Sequence, residues 1–260
     1  MKFFSEELSR VEATLPSGTT LYRARLGFAA KDNSDQPVPY SGEELGPPPR
    51  KKAQAARANR KGEIVLYVCD QEATAVAEVR PARGLLVSIG RLHTTKPVRI
   101  VDLSKISSVN PFTSDSVRYE LELCELLHCF ADDLSTPIRA NDNPLQYLPS
   151  QRISRFVRDS GYEGIRFPSA VATCGTNLVL FDTTAAQVES SWLVTVDTME
   201  TTYSPYDPRD ESGIRIWQLV VADRSRLAQI QRWAVRCRRR LGRLLRRLRR
   251  HREPRYPPFP

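Results

Sequence analysis

Between Glu63 and Cys69 the chain reads EIVLYVC, a short and nearly continuous apolar run rich in β-branched and aromatic residues. That pattern belongs to a strand buried on both faces, so the rest of the chain has to cover it. The segment DQEATAVAEVR follows at once and has the composition of a helix, with Asp70 expected as its N-cap and Glu78 in its last turn. A carboxylate at a helix C-terminus opposes the helix dipole at a cost of roughly a few tenths of a kcal/mol, which is weak evidence that something else keeps it there. Just upstream, RANRKG is a loop holding Arg57 and Arg60. The stretch from Arg57 to Arg80 thus brings together arginine, the aromatic Tyr67 and an acid, a set suited to a ligand with phosphates, a flat base and a sugar.

The flanking sequence supplies strands and helices in irregular alternation. TLYRARL alternates as a strand, placing Tyr22 and Ala24 on one face and Arg23 and Arg25 on the other. Residues 3 to 13 carry helical spacing through Phe4, Leu8 and Val11. Residues 31 to 60 are polar and proline-rich and read as a long loop. GLLVSIGRL and VRIVDL read as strands broken by a turn at Thr94 to Pro97. SDSVRYELELCELLHCFADDL has a helical apolar stripe through Val117, Leu121, Cys124, Leu127 and Phe130. A second helix, SQRISRFVRDSG, ends with Gly161 as its C-terminal cap. YEGIRFPSA, NLVLFD and the long QVESSWLVTVDTMETTY complete the strands. The predicted fold class is α+β, with mixed, largely antiparallel sheets around a cleft and helices packed outside.

Charge divides the chain in two. From Arg224 to Pro260 there are fourteen Arg against one acid, Glu253, so this tail carries +13 within a net charge of +9 and residues 1–223 carry −4. Residues 1–203 are expected to form the catalytic-size domain, 204–213 a linker, and 214–260 a basic helical tail. In the tail, Leu227, Ile230, Ala234, Cys237, Leu241, Leu244 and Leu248 make a narrow apolar seam on an Arg-covered helix. Such a helix suits anionic membrane, nucleic acid or another helix, including one from a second copy in an oligomer.

Several chemistries are disfavoured. The five cysteines, Cys69, Cys124, Cys129, Cys174 and Cys237, are odd in number and have no C-x-x-C spacing, which points away from disulfides and zinc and towards a reducing cytoplasm. His93, His128 and His251 show no metal-ligand spacing, so no metal is expected. No apolar stretch approaches ~20 residues, and the acidic opening MKFFSEELSR is no signal peptide. No G-x-G-x-x-G follows a strand, so no Rossmann-type cofactor site is expected.

Four ordered blocks together resemble the RES domain family. They are LYRAR; Arg57, Asn59 and Gly62 followed by Leu66 and Tyr67; ATAVAEVR around Glu78; and GYEGIRFPSA with the later G-x-N-L-V-L-F from Gly175 to Phe181. Pro149 to Gln151, PSQ, also matches longer members of that family. Where many of its members read G-R-x-N-P, Ala56 precedes Arg57 and Arg60 replaces the proline. The resemblance implies a fold like that of ADP-ribosylating toxins and consumption of NAD as a substrate rather than a cofactor. The nicotinamide–ribose bond would be split by hydrolysis or phosphorolysis, or the ADP-ribose transferred. It further implies a toxin paired with an Xre-type antitoxin. Carried over residue by residue, it makes Glu78 the acid, Tyr67 the aromatic beside the nicotinamide ribose, and Ser169 the serine that orients a hydroxyl, the amide or water. Arg23 and Arg57 become the pyrophosphate ligands, and Asn59 and Asn177 further substrate-binding candidates.

Overall fold

In the computed structural model of the chain, residues 8–30, 36–106, 117–136, 147–172 and 174–198 are described. The linker expected at 204–213 and the basic helix expected over 214–260 lie outside these residues, as does Cys237. The described chain builds one eight-stranded sheet in the order β1-β7-β8-β9-β5-β2-β6-β10. Its strands are β1 (Glu12–Leu15), β2 (Thr20–Leu26), β5 (Leu66–Cys69), β6 (Leu86–Thr94), β7 (Val98–Asp102), β8 (Gly164–Pro168), β9 (Thr176–Leu180) and β10 (Ala186–Thr195). The pair β7/β8 is parallel and the other pairs are antiparallel. A two-stranded ribbon, β3 (Ala29–Ala30) with β4 (Pro37–Val38), stands apart. The helices are α1 (Gly42–Leu45), α2 (Glu72–Glu78), α3 (Val117–Ser135) and α4 (Leu148–Asp159). The architecture is α+β with a mixed, mostly antiparallel sheet, as the sequence predicts.

The apolar run that ends in β5 sits inside the sheet, with β9 on one side and β2 on the other. Alternation along it divides the core. Val65 and Tyr67 face a cluster with Ile165, Phe167 and Val179, capped by Leu127, Phe130, Ala131 and Leu134 of α3 and Val157 of α4. Leu66 and Val68 face the opposite cluster with Leu21, Leu92, Ile100, Leu178 and Leu180. The strand is covered because a packed cluster lies on each of its faces, while β9 and β2 flank it within the sheet. A third cluster, Val87 and Ile89 with Tyr22, Ala24, Val76 and Val79, seats α2 on β2 and β6.

Four expectations are corrected. Helical spacing in residues 3 to 13 does not produce a helix in the described part: a 3₁₀ turn at Ser9–Val11 runs into β1, which pairs with β7 from Glu12↔Val101 to Leu15↔Val98. Asp70 does not cap α2. Gln71 is its N-cap residue, and the Asp70 carboxylate instead accepts the Thr176 N–H at 2.9 Å, fastening β5 to the start of β9. The polar stretch from residue 36 onward is not all loop, since Ser41 and Glu44 form a capping box that starts α1. The last strand ends at Thr195 and carries a bulge between Val188 and Ser190, while residues 199–203 of the longer strand expected there lie outside the described residues.

Candidate functional site

A cavity of about 470 Å³ opens over the middle of the sheet, within the size range of small-molecule sites. Its floor is Tyr22 to Ala24 of β2 and Tyr67 to Cys69 of β5, with Phe167 and Asn177 from β8 and β9. The end of α2 forms one wall through Glu78, Val79 and Arg80. The end of α3 forms another through Leu134, Ser135 and Thr136, beside Ala56 and Arg57 of the arginine loop. Charged side chains lining it are Arg23, Arg57 and Arg80 against one carboxylate, Glu78.

Glu78 is the last residue of α2 and is fixed by the two strands it faces. Its Oε1 accepts from Ser169 Oγ at 2.8 Å and from Asn177 Nδ2 at 2.6 Å. Ser169 Oγ in turn accepts the N–H groups of Val171 and Ala172, both at 3.2 Å, so its own proton is directed at Glu78. Ser169 therefore holds the acid from behind rather than facing the cavity as a nucleophile. Asn177 is held the same way: its Oδ1 accepts from Cys69 Sγ at 3.2 Å, which turns the amide nitrogen towards the carboxylate. Burial, the Glu78 charge and the Asp70 charge push the Cys69 thiol up to about 12, so it remains a donor and not a thiolate. With Oε1 doubly occupied, no hydrogen bond among the described residues engages Oε2.

Gly175 makes this arrangement possible. A Cβ there would collide with Oγ1 of the buried Thr74, so only glycine lets the β8–β9 turn close against α2. Among the described residues, two that are not glycine adopt left-handed backbone, Arg80 at φ 46° just after α2 and Cys174 at φ 63° in the turn between Ser169 and Asn177.

The arginine loop is a closed structure. Ala56 N–H bonds to Asn59 O at 3.0 Å, and Gln151 Nε2 of α4 donates to both Ala56 O and Asn59 O at 2.9 Å. Asn59 is buried and does not line the cavity; its Nδ2 reaches the carbonyls of Gln54, Arg60 and Glu63. Its Oδ1 accepts the Tyr67 hydroxyl at 3.1 Å, and the same hydroxyl accepts Ala58 N–H at 3.2 Å. Tyr67 thus offers its ring to the cavity while its hydroxyl is committed to the loop, and burial pushes the phenol well above its ordinary pKa. Arg60, where the proline of the related sequences would stand, donates its N–H to Glu63 at 2.7 Å, a bond proline cannot make.

Arg57 and Arg23 reach the cavity from opposite supports. Arg57 is buried, pairs with Asp133 of α3 at 3.2 Å and stacks on the Tyr147 ring at 4.7 Å. Burial holds the Asp133 carboxyl above its usual range, with the hydroxyl of Ser150 and the charge of Arg57 acting against it. Arg23 donates to Gly46 O at 2.7 Å, and burial together with the nearby Arg25 charge lowers its pKa to about 10, leaving it charged at neutral pH. Arg25 turns away to Glu44 O and the Tyr40 ring.

The structure therefore brings Arg23, Arg57, Tyr67, Glu78 and Asn177 to one cavity, with Ser169 behind Glu78 and Asn59 behind Tyr67. Sequence reasoning does not reach Cys69, Arg80, Asp133 or Tyr147, and takes Gln151 only as part of a motif match. Among the described residues there is no group of three metal-ligating side chains and no helix long and apolar enough to cross a membrane. The cavity presents both signs: its arginines suit an anion, while Glu78 and the C-terminal end of the 19-residue α3 offer negative charge and dipole to a cation. The model of one protein family, described as RES domain, matches residues 20–204. None of the curated proteins compared matches the chain.

Proposed function

Because the chain belongs to the RES domain family, we propose that it is an NAD glycohydrolase whose substrate lies across this cavity. The observation that carries the reading is Glu78, gripped on one oxygen by Ser169 and Asn177 with the other oxygen left for the substrate, in a cavity whose other charged lining residues are arginines. Nicotinamide is already cationic at its ring nitrogen, so it leaves as a neutral base when the C1′–N bond breaks and takes the bonding pair with it. Little acid assistance is needed. The ribose is left as an oxocarbenium-like cation, which a fixed carboxylate stabilises without reorganising at the moment of reaction. Water then adds at C1′ and a proton is released, giving ADP-ribose, nicotinamide and H⁺.

The arginines take the diphosphate, since a planar guanidinium pairs with phosphate oxygens in a way lysine cannot. The Tyr67 ring flanks the nicotinamide side of the ribose. Neither Ser169, donating to Glu78, nor Cys69, held protonated, is poised to form a covalent intermediate. In this reading the protein arrests growth by draining NAD and is restrained by an Xre-type antitoxin.

Incubation of the purified chain with NAD should release nicotinamide, and Glu78→Gln should slow release ~100-fold or more. Equal rates in the two proteins would overturn the assignment. Adding phosphate and following labelled ADP-ribose assigns the acceptor: free ADP-ribose for hydrolysis, ADP-ribose 1″-phosphate for phosphorolysis, and labelled macromolecule for transfer.

A further inference from the structure

We propose that the C-terminal end of α3, through Ser135 and Thr136, is the specificity-determining wall of the cavity, taking the neutral carboxamide of nicotinamide as a hydrogen-bond donor and excluding a carboxylate in its place. The inference rests on the dinucleotide assignment just given and adds which pyridine ring the site accepts. Leu134, Ser135 and Thr136 line the cavity where α3 ends. Leu134 joins Phe167 and Tyr67 in one apolar cluster, and all three line the cavity, so a flat ring has an apolar slot there. The slot lies beside the acid: Ser135 Oγ bonds Pro168 O at 2.7 Å, and the next residue, Ser169, donates to Glu78. A ring leaving the ribose that Glu78 faces therefore meets the end of α3.

The protons of this wall are already placed. Ser135 Oγ has one proton, and the carbonyls of Ala131 and Pro168 both stand 2.7 Å away to take it. Thr136 Oγ1 gives its proton to Asp132 O at 2.7 Å. A hydroxyl whose proton is committed still accepts through its lone pairs, so both side chains meet a ligand as acceptors. They stand at the carbonyl end of a 19-residue helix, where the dipole is negative, in a cavity that also holds Glu78. A carboxamide brings N–H donors to such a wall. A nicotinate carboxylate brings only acceptors and a like charge. Arg57, the cation beside this wall, is paired with Asp133, which a carboxylate would have to displace.

The test compares NAD on the full chain with its nicotinate analogue and with its 3-acetylpyridine analogue, which is neutral but has no N–H. NAD should be cleaved with kcat/KM about tenfold or more above either analogue, the scale of one lost hydrogen bond that leaves an acceptor unpaired. Thr136→Lys, at an exposed position, puts a cation where an acceptor stood and should move the NAD-to-nicotinate ratio about tenfold towards the nicotinate analogue. A purely structural effect would slow both substrates alike and leave that ratio where it was. Equal kcat/KM for NAD and either analogue overturns the proposal, as does a ratio unmoved by Thr136→Lys, and both results leave the glycohydrolase reading standing. If no ring is released from any of the dinucleotides, calorimetry separates the two readings. Tighter binding of NAD than of both analogues then supports the wall and overturns the glycohydrolase reading, whereas equal or absent binding overturns both.

Discussion

Asn177 Nδ2 donates to Glu78 Oε1 at 2.6 Å, and the same amide accepts the Cys69 thiol on its other side. The amide is thereby fixed in one orientation, with one of its two N–H donors committed to the acid. Asn177→Asp replaces a donor with a like charge. It should lower kcat for nicotinamide release by ~10–100-fold, the range for a misoriented electrostatic contact, with a smaller change in KM. A KM effect with unchanged kcat would place Asn177 on the substrate instead.

Ser169 gives a different signature. Ser169→Ala removes one of two donors to Glu78 and frees the N–H groups of Val171 and Ala172, so about a tenfold loss of kcat is expected. Intact-mass measurement during turnover should show no adduct on the wild type. An adduct lost in Ser169→Ala would mean the serine is a nucleophile after all.

Gln151 never touches the cavity, yet it carries two carbonyls of the arginine loop. Gln151→Ala leaves both buried acceptors without that partner and should cost about 1–3 kcal/mol in urea unfolding. It should also raise KM for NAD, because the loop holds Arg57. Unfolding and KM measured on one preparation separate the two effects.

Gly175→Ala should destabilise by ~1–3 kcal/mol through overpacking on Thr74. Adding Thr74→Ala removes the hydroxyl and methyl that the new Cβ would strike, so the double variant should be more stable than the sum of the singles. Additive losses in denaturant would show the contact is not the cause.

Acid sensitivity is expected from the Lys96 cluster, where the ammonium bonds Glu163 at 2.6 Å and Asp182 at 2.8 Å. The Lys96 hydrogen bond, helped by the Thr184 hydroxyl, lowers the Asp182 carboxyl to about 2, and Lys96 also lowers Glu163. Folded pKa values below the unfolded ones mean that this stabilisation is complete above the unfolded carboxylate range, near pH ~4, and is lost as pH falls through about 2. The melting temperature of Lys96→Met should therefore fall less steeply than that of wild type over this window. Parallel curves would remove the cluster from the acid response.

What could be read in advance follows locality. Thr20–Leu26 and Leu66–Cys69 show their strands by alternation or continuous apolar character, and α3 by its stripe, because each pattern is contained in a few turns or pleats. Asp70 misleads because a residue 106 positions away captures its carboxylate. The spacing through Leu8 and Val11 is overridden by pairing with β7, which no local pattern announces. Arg57 is legible as an arginine in a loop, but Asp133, 76 residues on, is not legible as its partner. Gln151 as a clamp and Cys69 as the donor behind Asn177 depend on contacts 95 and 108 residues apart. The family blocks bring distant positions into one expectation, and supports such as Asp133 and Cys69 lie outside them.

The separation between Glu78 and its two holders, 91 and 99 residues, has a consequence in time. At ordinary synthesis rates of about 5–20 residues per second, Glu78 is added to the chain roughly 5–20 s before Asn177. Until β8 and β9 close onto β5, the acid has neither donor and the floor of the cavity lacks Phe167 and Asn177. A nascent or prematurely terminated chain therefore lacks both donors that fix Glu78. The acid takes up its final geometry only when the sheet is complete, so a chain under synthesis passes through an interval in which it holds pieces of the site without their arrangement.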